Sequence, residues 1–238
     1  MAAPSNKTID KAGTRLRDWH LAGAPEEDIE DPDFLAAGEL VLEYRASMAP
    51  TLAKVTVGVR QFIASESSQV IVAQRLKRLP TILDKLARHP NMKLTRMQDI
   101  GGCRAILPGG LSEVVAVIRR MRKNSKTWQI RSIDDYGAEP RSTGYRAVHV
   151  TVERDGRLVE IQLRTRREHA WAVAVEQIGS RNGFPYLKDG KGPDDLLAYF
   201  RFVARLFAMQ DRGITADDKT IARFQKLHER VAQTYTLS

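Results

Sequence analysis

The stretch that most constrains this chain is residues 146–165, RAVHVTVERDGRLVEIQLRT, in which apolar and polar side chains alternate on both sides of an Asp-Gly pair. Side chains of a strand point alternately to opposite faces. Val148, Val150 and Val152 therefore share one face with His149 on the other, and Val159, Ile161 and Leu163 oppose Glu160, Gln162 and Arg164. Two such runs joined through Asp-Gly predict a hairpin. Its sheet has an apolar face that must be covered and a polar face rich in reactive groups. Polar strand positions are often simply solvated, so chemistry is expected here only where other signals converge on the same face.

The flanking sequence alternates short strand and helix patterns. Strands are expected over 70–77, 99–107 and 128–136, with helices over 80–88, where Pro80 suits a first turn, and over 111–123. A short helix is expected over 6–19, followed by an acidic, proline-bearing loop over 25–33. A helical pattern over 36–65 is broken or kinked by Pro50, with Leu52, Val55, Val59 and Phe62 on one face. After 165 the pattern is helical through REHAWAVAVEQIG, breaks in NGFPYLKDGKGPD, and resumes with Leu196, Tyr199, Val203 and Leu206 on one stripe. A last helix is expected over 216–234. The expected fold class is α/β (α+β), a mixed sheet with helices packed on one face and helical extensions at both ends. The expected organisation is 1–66 as an N-terminal helical extension, 67–180 as the core and 181–238 as C-terminal helices, all within one domain.

A formal charge of +9 over 238 residues favours polyanionic partners: nucleotides, RNA or an acidic protein. No apolar run is long enough to span a bilayer and the N-terminus lacks a secretion signal, so a cytoplasmic location is expected. The single cysteine, Cys103, excludes an internal disulfide and a cysteine-pair zinc site. In a strand it reads as a buried apolar residue. His169 and Trp171 read as packing or capping residues, and His20, His89 and His228 have no metal-ligand spacing.

Two carboxylates stand out. Asp99 opens the expected strand DIGGCRAIL, and Glu160 lies on the polar face of the hairpin. Paired carboxylates suit Mg²⁺ in phosphoryl chemistry, although an isolated Asp before a strand is more often a turn residue. In RLKRLPTILDK, Arg75 and Lys77 fall on one side of a strand and Lys85 returns from the following helix, a workable triphosphate clamp or else a solvated basic face. In DDYGAEPRSTGYRAVH, Tyr145 follows a glycine at the strand entrance, where its ring can act as a platform for a base or simply pack.

Taken in order, RLKRLPTILDK, DIGGCR, DYGAEPRSTGYRAVH and EIQLRTRREHAWA resemble the motifs of the synthetase domain of RelA/SpoT homologues over residues 70–179. The resemblance implies a nucleotidyltransferase-like mixed sheet and an ATP-dependent pyrophosphokinase. In this chemistry a 3′-oxygen attacks the β-phosphorus of ATP and AMP leaves. It implies that Asp99 and Glu160 bind Mg²⁺, with Glu160 also assisting deprotonation of the acceptor hydroxyl. By the same likeness Lys77 and Lys85 hold the ATP phosphates, and Arg75 and Arg104 sandwich the adenine. Tyr145 matches the tyrosine that stacks on the acceptor base, and Arg141, His149 and Gln162 match acceptor-side positions.

The departures from the family pattern fall on the acceptor side. Asp134 stands where many relatives have lysine and Thr143 where they have asparagine, while Arg141 keeps a basic residue after Pro140. The chain has room for neither the hydrolase nor the regulatory domains of the long enzymes, so a stand-alone synthetase is expected. QRLKRLPTILDKLARHP, MQDIGGCRAIL and EHAWAVAVEQIG look most like the toxic branch of the small alarmone synthetases. That likeness implies a translation-inhibiting toxin of a toxin–antitoxin or phage-defence system, acting on the tRNA 3′-CCA end and held by a separate antitoxin, with neither DNA nor membrane as partner. The alternative is a small alarmone synthetase acting on GDP, GTP or adenine nucleotides to make (p)ppGpp or (p)ppApp. A third reading, an inactive RNA- or protein-binding module, is opposed by the retention of Asp99, Glu160, Lys77, Lys85 and Tyr145.

Overall fold

The structure, a computed structural model, describes residues 4–64, 70–123 and 128–237. The strands are β1 (Ile71–Leu76), β2 (Gly101–Leu107), β3 (Gln129–Asp135), β4 (Val148–Arg154) and β5 (Arg157–Thr165). They form one sheet in the order β1-β2-β5-β4-β3. Only β2 and β5 run parallel; the other pairs are antiparallel. The expected mixed sheet is therefore present. The β4–β5 hairpin turns through Asp155 and Gly156, both at positive φ (51° and 69°), as a tight Asp-Gly turn requires.

Helices α1 (Asn6–Leu21), α2 (Pro32–Ala46) and α3 (Ala49–Ala64) precede the sheet; α4 (Leu79–Arg88) and α5 (Gly110–Lys123) lie between strands; α6 (Arg166–Arg181), α7 (Asp194–Asp211) and α8 (Asp218–Thr234) follow it. The acidic segment expected as a loop is only partly one. Residues 26–30 form a 3₁₀ turn, and Asp31 caps α2 by accepting from the Asp33 N–H, with Pro32 at the first helical position. An Asp-Pro pair is itself a helix-start signal. The helical pattern expected over 36–65 is two helices, broken before Pro50, which sits in the first turn of α3; residue 65 lies outside the described residues, as does the expected boundary at 66/67.

Burial follows the alternation. Val150, Val152, Val159, Ile161 and Leu163 are fully buried beneath α3 and α5, together with Leu52, Val55, Val59, Val114, Val117 and Met121. Each such side chain contributes about 1.5–3 kcal/mol. Two further cores flank this one. Helix α4 joins α1 and α2 through Ile82, Leu83 and Leu86, and α6 joins α7 and α8 through Trp171, Val175 and Leu196. Helix α3, within the expected 1–66 extension, thus packs on the sheet. Among the described residues no helix is long and apolar enough to cross a membrane.

Candidate active site

Register fixes which side chains share the polar face. Gly102 of β2 pairs with Arg75 on one side and Glu160 on the other; Arg104 pairs with Gln162, which pairs with His149. Arg75, Arg104, Glu160, Gln162, Arg164 and His149 thus face the same way. Position 102 matters for what it lacks: a Cβ there would meet nothing nearer than the Arg75 carbonyl oxygen at 3.9 Å. The glycine keeps open the floor between β1 and Glu160.

Asp99 does not open β2, as the sequence suggested. It sits in the turn two residues before Gly101, where the Lys77 N–H donates to the Ile100 carbonyl at 2.8 Å. The turn aims the carboxylate at two lysines: Lys77 Nζ lies 2.8 Å from Oδ2 and Lys85 Nζ 2.8 Å from Oδ1. Burial pushes the Asp99 carboxyl upward, but Lys85 and Lys77 outweigh it and hold the group below the usual carboxylate range. Lys85 reaches the site because α4 starts just after β1, with Pro80 in its first turn.

Glu160 is held as firmly. His149 Nδ1 lies 3.1 Å from Oε1, and Gln162 Nε2 donates to Oε2 at 2.6 Å. Burial raises this carboxyl too, yet the His149 and Gln162 hydrogen bonds outweigh it and keep Glu160 ionised; the Asp99 charge opposes them. The two carboxylates therefore sense one another across the cleft.

Behind Glu160 lies a ring of hydrogen bonds that the sequence did not disclose. Arg164, 5% exposed, donates to the Tyr145 hydroxyl at 2.8 Å and to Gln162 Oε1 at 3.0 Å. The Tyr145 hydroxyl lies 2.6 Å from His149 Nε2. An ionised carboxylate only accepts and a guanidinium only donates. With a neutral imidazole the directions follow: Nδ1–H donates to Glu160, and the tyrosine accepts from Arg164 and donates to Nε2. Burial pushes the Tyr145 hydroxyl up, so it keeps the proton it donates.

The expected acceptor side is an aromatic cluster. Tyr136, which the sequence reading did not single out, lies 5.9 Å from Tyr145 and 5.2 Å from His149, ring centre to ring centre. The exposed Arg141 sits 4.4 Å over the Tyr136 ring and donates to its hydroxyl at 3.0 Å. Arg141 and Arg164 also lie over the Tyr145 ring, at 5.4 and 5.2 Å. Position 135–136 before a Gly-rich loop was the available signal for Tyr136. On the expected donor side Arg104 is pushed down from the usual guanidinium range by burial and by Arg164 and Arg75, and its Nε is buried without a partner.

Several of the residues read as incidental have structural partners. Cys103 is buried, its thiol pushed up to about 11 by burial. Trp171 donates to the Phe200 carbonyl at 2.8 Å, and His20 and His228 pair with Asp84 and Tyr199.

Among the described residues no group of three His, Cys, Asp or Glu side chains converges to hold a metal. Two ionised carboxylates close enough to act on one another nonetheless suit Mg²⁺, which keeps several waters and takes one or two carboxylates plus substrate phosphates. The donor set fits.

The fold is a five-stranded mixed sheet carrying two braced carboxylates and a cluster of basic side chains on one face. Residues 74–179 match the family model described as a region found in RelA/SpoT proteins. An uncharacterized protein of Mycobacterium tuberculosis (strain H37Rv) is 30% identical over 179 residues, covering 75% of this chain and 60% of that protein. One of Mycobacterium bovis matches to the same extent. The chain thus spans 60% of the length of these curated relatives. A GTP pyrophosphokinase family protein from Streptococcus pneumoniae superposes with a TM-score of 0.59 at 25% identity, over 78% of this chain and 98% of that one. The small alarmone synthetase 1 of Bacillus subtilis bound to its product pppGpp shares the fold, with a TM-score of 0.59 at 22% identity over 82% and 97% of the two chains.

Proposed function

We propose that this chain transfers pyrophosphate from ATP to a 3′-hydroxyl, with the tRNA 3′-CCA end as acceptor, and so acts as a translation-inhibiting toxin neutralised by a separate antitoxin. The observation that carries the transfer is the pair Asp99 and Glu160, each kept ionised by its own brace and near enough that the Asp99 charge acts on Glu160. Asp99 and Glu160 would hold Mg²⁺, which when bound supplies charge neutralisation for the phosphate oxygens. Each lysine spends one of its three donors on Asp99, so Lys77 and Lys85 retain donors for the triphosphate. Arg75 and the unpartnered Arg104 Nε flank the adenine. The Glu160 carboxylate takes the proton of the acceptor hydroxyl while His149 steadies it. The 3′-oxygen bonds to the β-phosphorus, the bond from that phosphorus to the α,β-bridging oxygen breaks, and AMP leaves with that oxygen.

For the acceptor, the charge of +9 favours RNA, because phosphate contacts dominate such affinity. Asp134 and Thr143 alter the family's acceptor side. Arg141 stacked on Tyr136 is a guanidinium–aromatic surface suited to an unpaired terminal base. The second reading, a small alarmone synthetase using guanine or adenine nucleotides, draws on the likeness to the Streptococcus pneumoniae protein.

The experiment is incubation with ATP radiolabelled in the β or γ phosphate, together with deacylated tRNA, GDP, GTP or adenine nucleotides in separate reactions. Label on the tRNA 3′ end, lost with Glu160→Ala, is the expected result. Label on free nucleotides alone sinks the RNA acceptor and leaves the second reading.

A further inference from the structure

We propose that an exposed basic groove leading away from Asp99 is a track for the phosphate backbone of an RNA acceptor; this deepens, and rests on, the RNA reading above. Two adjoining surface grooves share Lys93 and Arg96 as a common wall. One continues along α1 past Lys7 and Lys11, the other to Arg88 and His89 at the end of α4. All six side chains are exposed.

Among the described residues Lys7, Lys11, Lys93 and Arg96 form neither ion pairs nor side-chain hydrogen bonds. Arg88 is bonded to Asp189 at 3.1 Å, and Asp10, the acid in the groove wall, is occupied in accepting the Thr95 N–H at 2.9 Å. A solvated face of mixed charge needs no fixed geometry, and this one has it. Gly13 of α1 lies so close to Leu94 that a Cβ would sit 2.9 Å from the leucine Cβ. Ile9, Ala12 and Leu16 share a core with Leu94. The close approach locks the lysines of α1 beside Lys93 and Arg96, holding like charges together against their mutual repulsion.

The groove also has a direction. Gln98, in its wall, accepts a hydrogen bond from the Thr151 hydroxyl at 3.1 Å; Thr151 pairs in register with Glu160. The residue after Gln98 is Asp99, and Lys85, which clamps Asp99, lies one helical turn before Arg88 and His89. A series of basic side chains, Lys85, Arg88, Lys93, Arg96, Lys11 and Lys7, thus leads from the carboxylate site to α1, with Arg88 paired to Asp189 and Asp10 as the acid in the wall. A mononucleotide carries its phosphates in one place, whereas cations set in series suit a ligand whose phosphates are in series.

The test compares the full chain with the paired variants Lys93→Glu/Arg96→Glu and Lys7→Glu/Lys11→Glu, with Lys93→Gln/Arg96→Gln as a milder substitute if the reversals melt early. Each is assayed for binding of deacylated tRNA across a salt series, and for transfer to tRNA and to a CCA trinucleotide. We expect tRNA affinity to fall at least about ten-fold at low salt, and the slope of log K against log salt to shrink by about two. Transfer to the trinucleotide should stay at the wild-type level. Unchanged tRNA binding and an unchanged slope overturn the track, even if the wild type labels tRNA and so upholds the proposed function. Conversely, a wild type that labels only nucleotides refutes the RNA acceptor and with it a track for that acceptor, even if the variants bind tRNA more weakly. Intact tRNA binding with lost binding of a poly-glutamate probe assigns the groove to an acidic protein and overturns the proposal.

Discussion

The Arg164 guanidinium stands 2.8 Å from the Tyr145 hydroxyl and 3.0 Å from Gln162 Oε1, so one buried cation feeds two hydrogen-bond branches that both end on Glu160. One branch runs through Tyr145 and His149, the other through Gln162 alone. Arg164 is a positioning residue under this arrangement. Arg164→Met, which keeps bulk and removes every donor, should lower kcat about 10²-fold, the scale of losing an oriented proton acceptor, with the KM for ATP little changed. Arg164→Lys, able to serve one branch, should recover part of the loss. Steady-state kinetics on both variants decide it; a change confined to the KM for ATP would assign Arg164 to the donor pocket.

Asp99 is expected to matter for stability as well as for transfer. Asp99→Asn leaves the Lys77 ammonium, 9% exposed, without its counterion. Removing one partner of a fully buried pair costs about 3–5 kcal/mol. Here Asp99 and Lys85 are 20% and 24% exposed, which screens the loss to about 2 kcal/mol. The folded carboxyl lies below its usual value of 3.8 because Lys85 and Lys77 overcome the effect of burial. Its contribution is therefore present above that value and disappears as pH falls through the lower folded one. Denaturant melts should show a constant deficit for Asp99→Asn from about pH 5 to 8 that closes below about pH 4. A deficit that grew on acidification would reverse the sign assigned here.

What the sequence could and could not disclose divides on physical lines. The hairpin was legible because alternation and an Asp-Gly turn are local signals, and Val150, Val159 and Ile161 are buried as the alternation requires. The return of Lys85 toward Lys77 was legible because a Pro-started helix follows the strand at once. That Asp99 is what they clamp was not, since their meeting is tertiary. Arg164 looks in the sequence like any third polar residue of a strand; only the folding back of the 136–147 loop, which brings the Tyr145 hydroxyl over β5, makes it the hub. The basic groove was illegible for the same reason: Lys7 and Lys93 are 86 positions apart in the chain and meet because Gly13 admits Leu94.

Glu168 gives a titration of the opposite sense. It closes the cap of α6, its Oε2 accepting the Thr165 N–H at 2.9 Å while the Thr165 side chain accepts from its own N–H at 3.2 Å. A carboxylate at a helix N-terminus is ordinarily favoured, yet burial, followed by the Asp211 charge, pushes this one above its usual 4.5. Stability from such a group is present below the usual value and is lost as pH rises through the raised one. Glu168→Gln keeps the acceptor and removes the charge. It should match the wild type near about pH 4 and exceed it in denaturant melts at about pH 7; a variant weaker at neutral pH would show the charge to be favourable.

Gly144 tests whether the 136–147 loop positions the acceptor. Its φ is +92°, where an L side chain is strained. Its N–H donates to the Arg141 carbonyl at 2.8 Å, while the Arg141 N–H donates to the Tyr145 carbonyl at 3.2 Å, so one turn orients Arg141 and Tyr145 together. An added Cβ would lie 3.0 Å from the Ala204 Cβ and 3.2 Å from the Arg201 Cα, and backbone in α7 cannot yield as a flexible side chain can. Gly144→Ala should therefore cost about 2 kcal/mol, backbone strain plus overpacking, and should raise the acceptor KM while leaving the KM for ATP unchanged. Gly156→Ala is the control: its φ is also positive, at +69°, but its Cβ meets nothing within 4 Å. It should cost only about 1 kcal/mol, the backbone term alone, with no effect on acceptor kinetics. If the two variants behaved alike, the contact with α7 would carry no weight in holding the loop; if both KM values rose together in Gly144→Ala, the loop would not belong to the acceptor side alone.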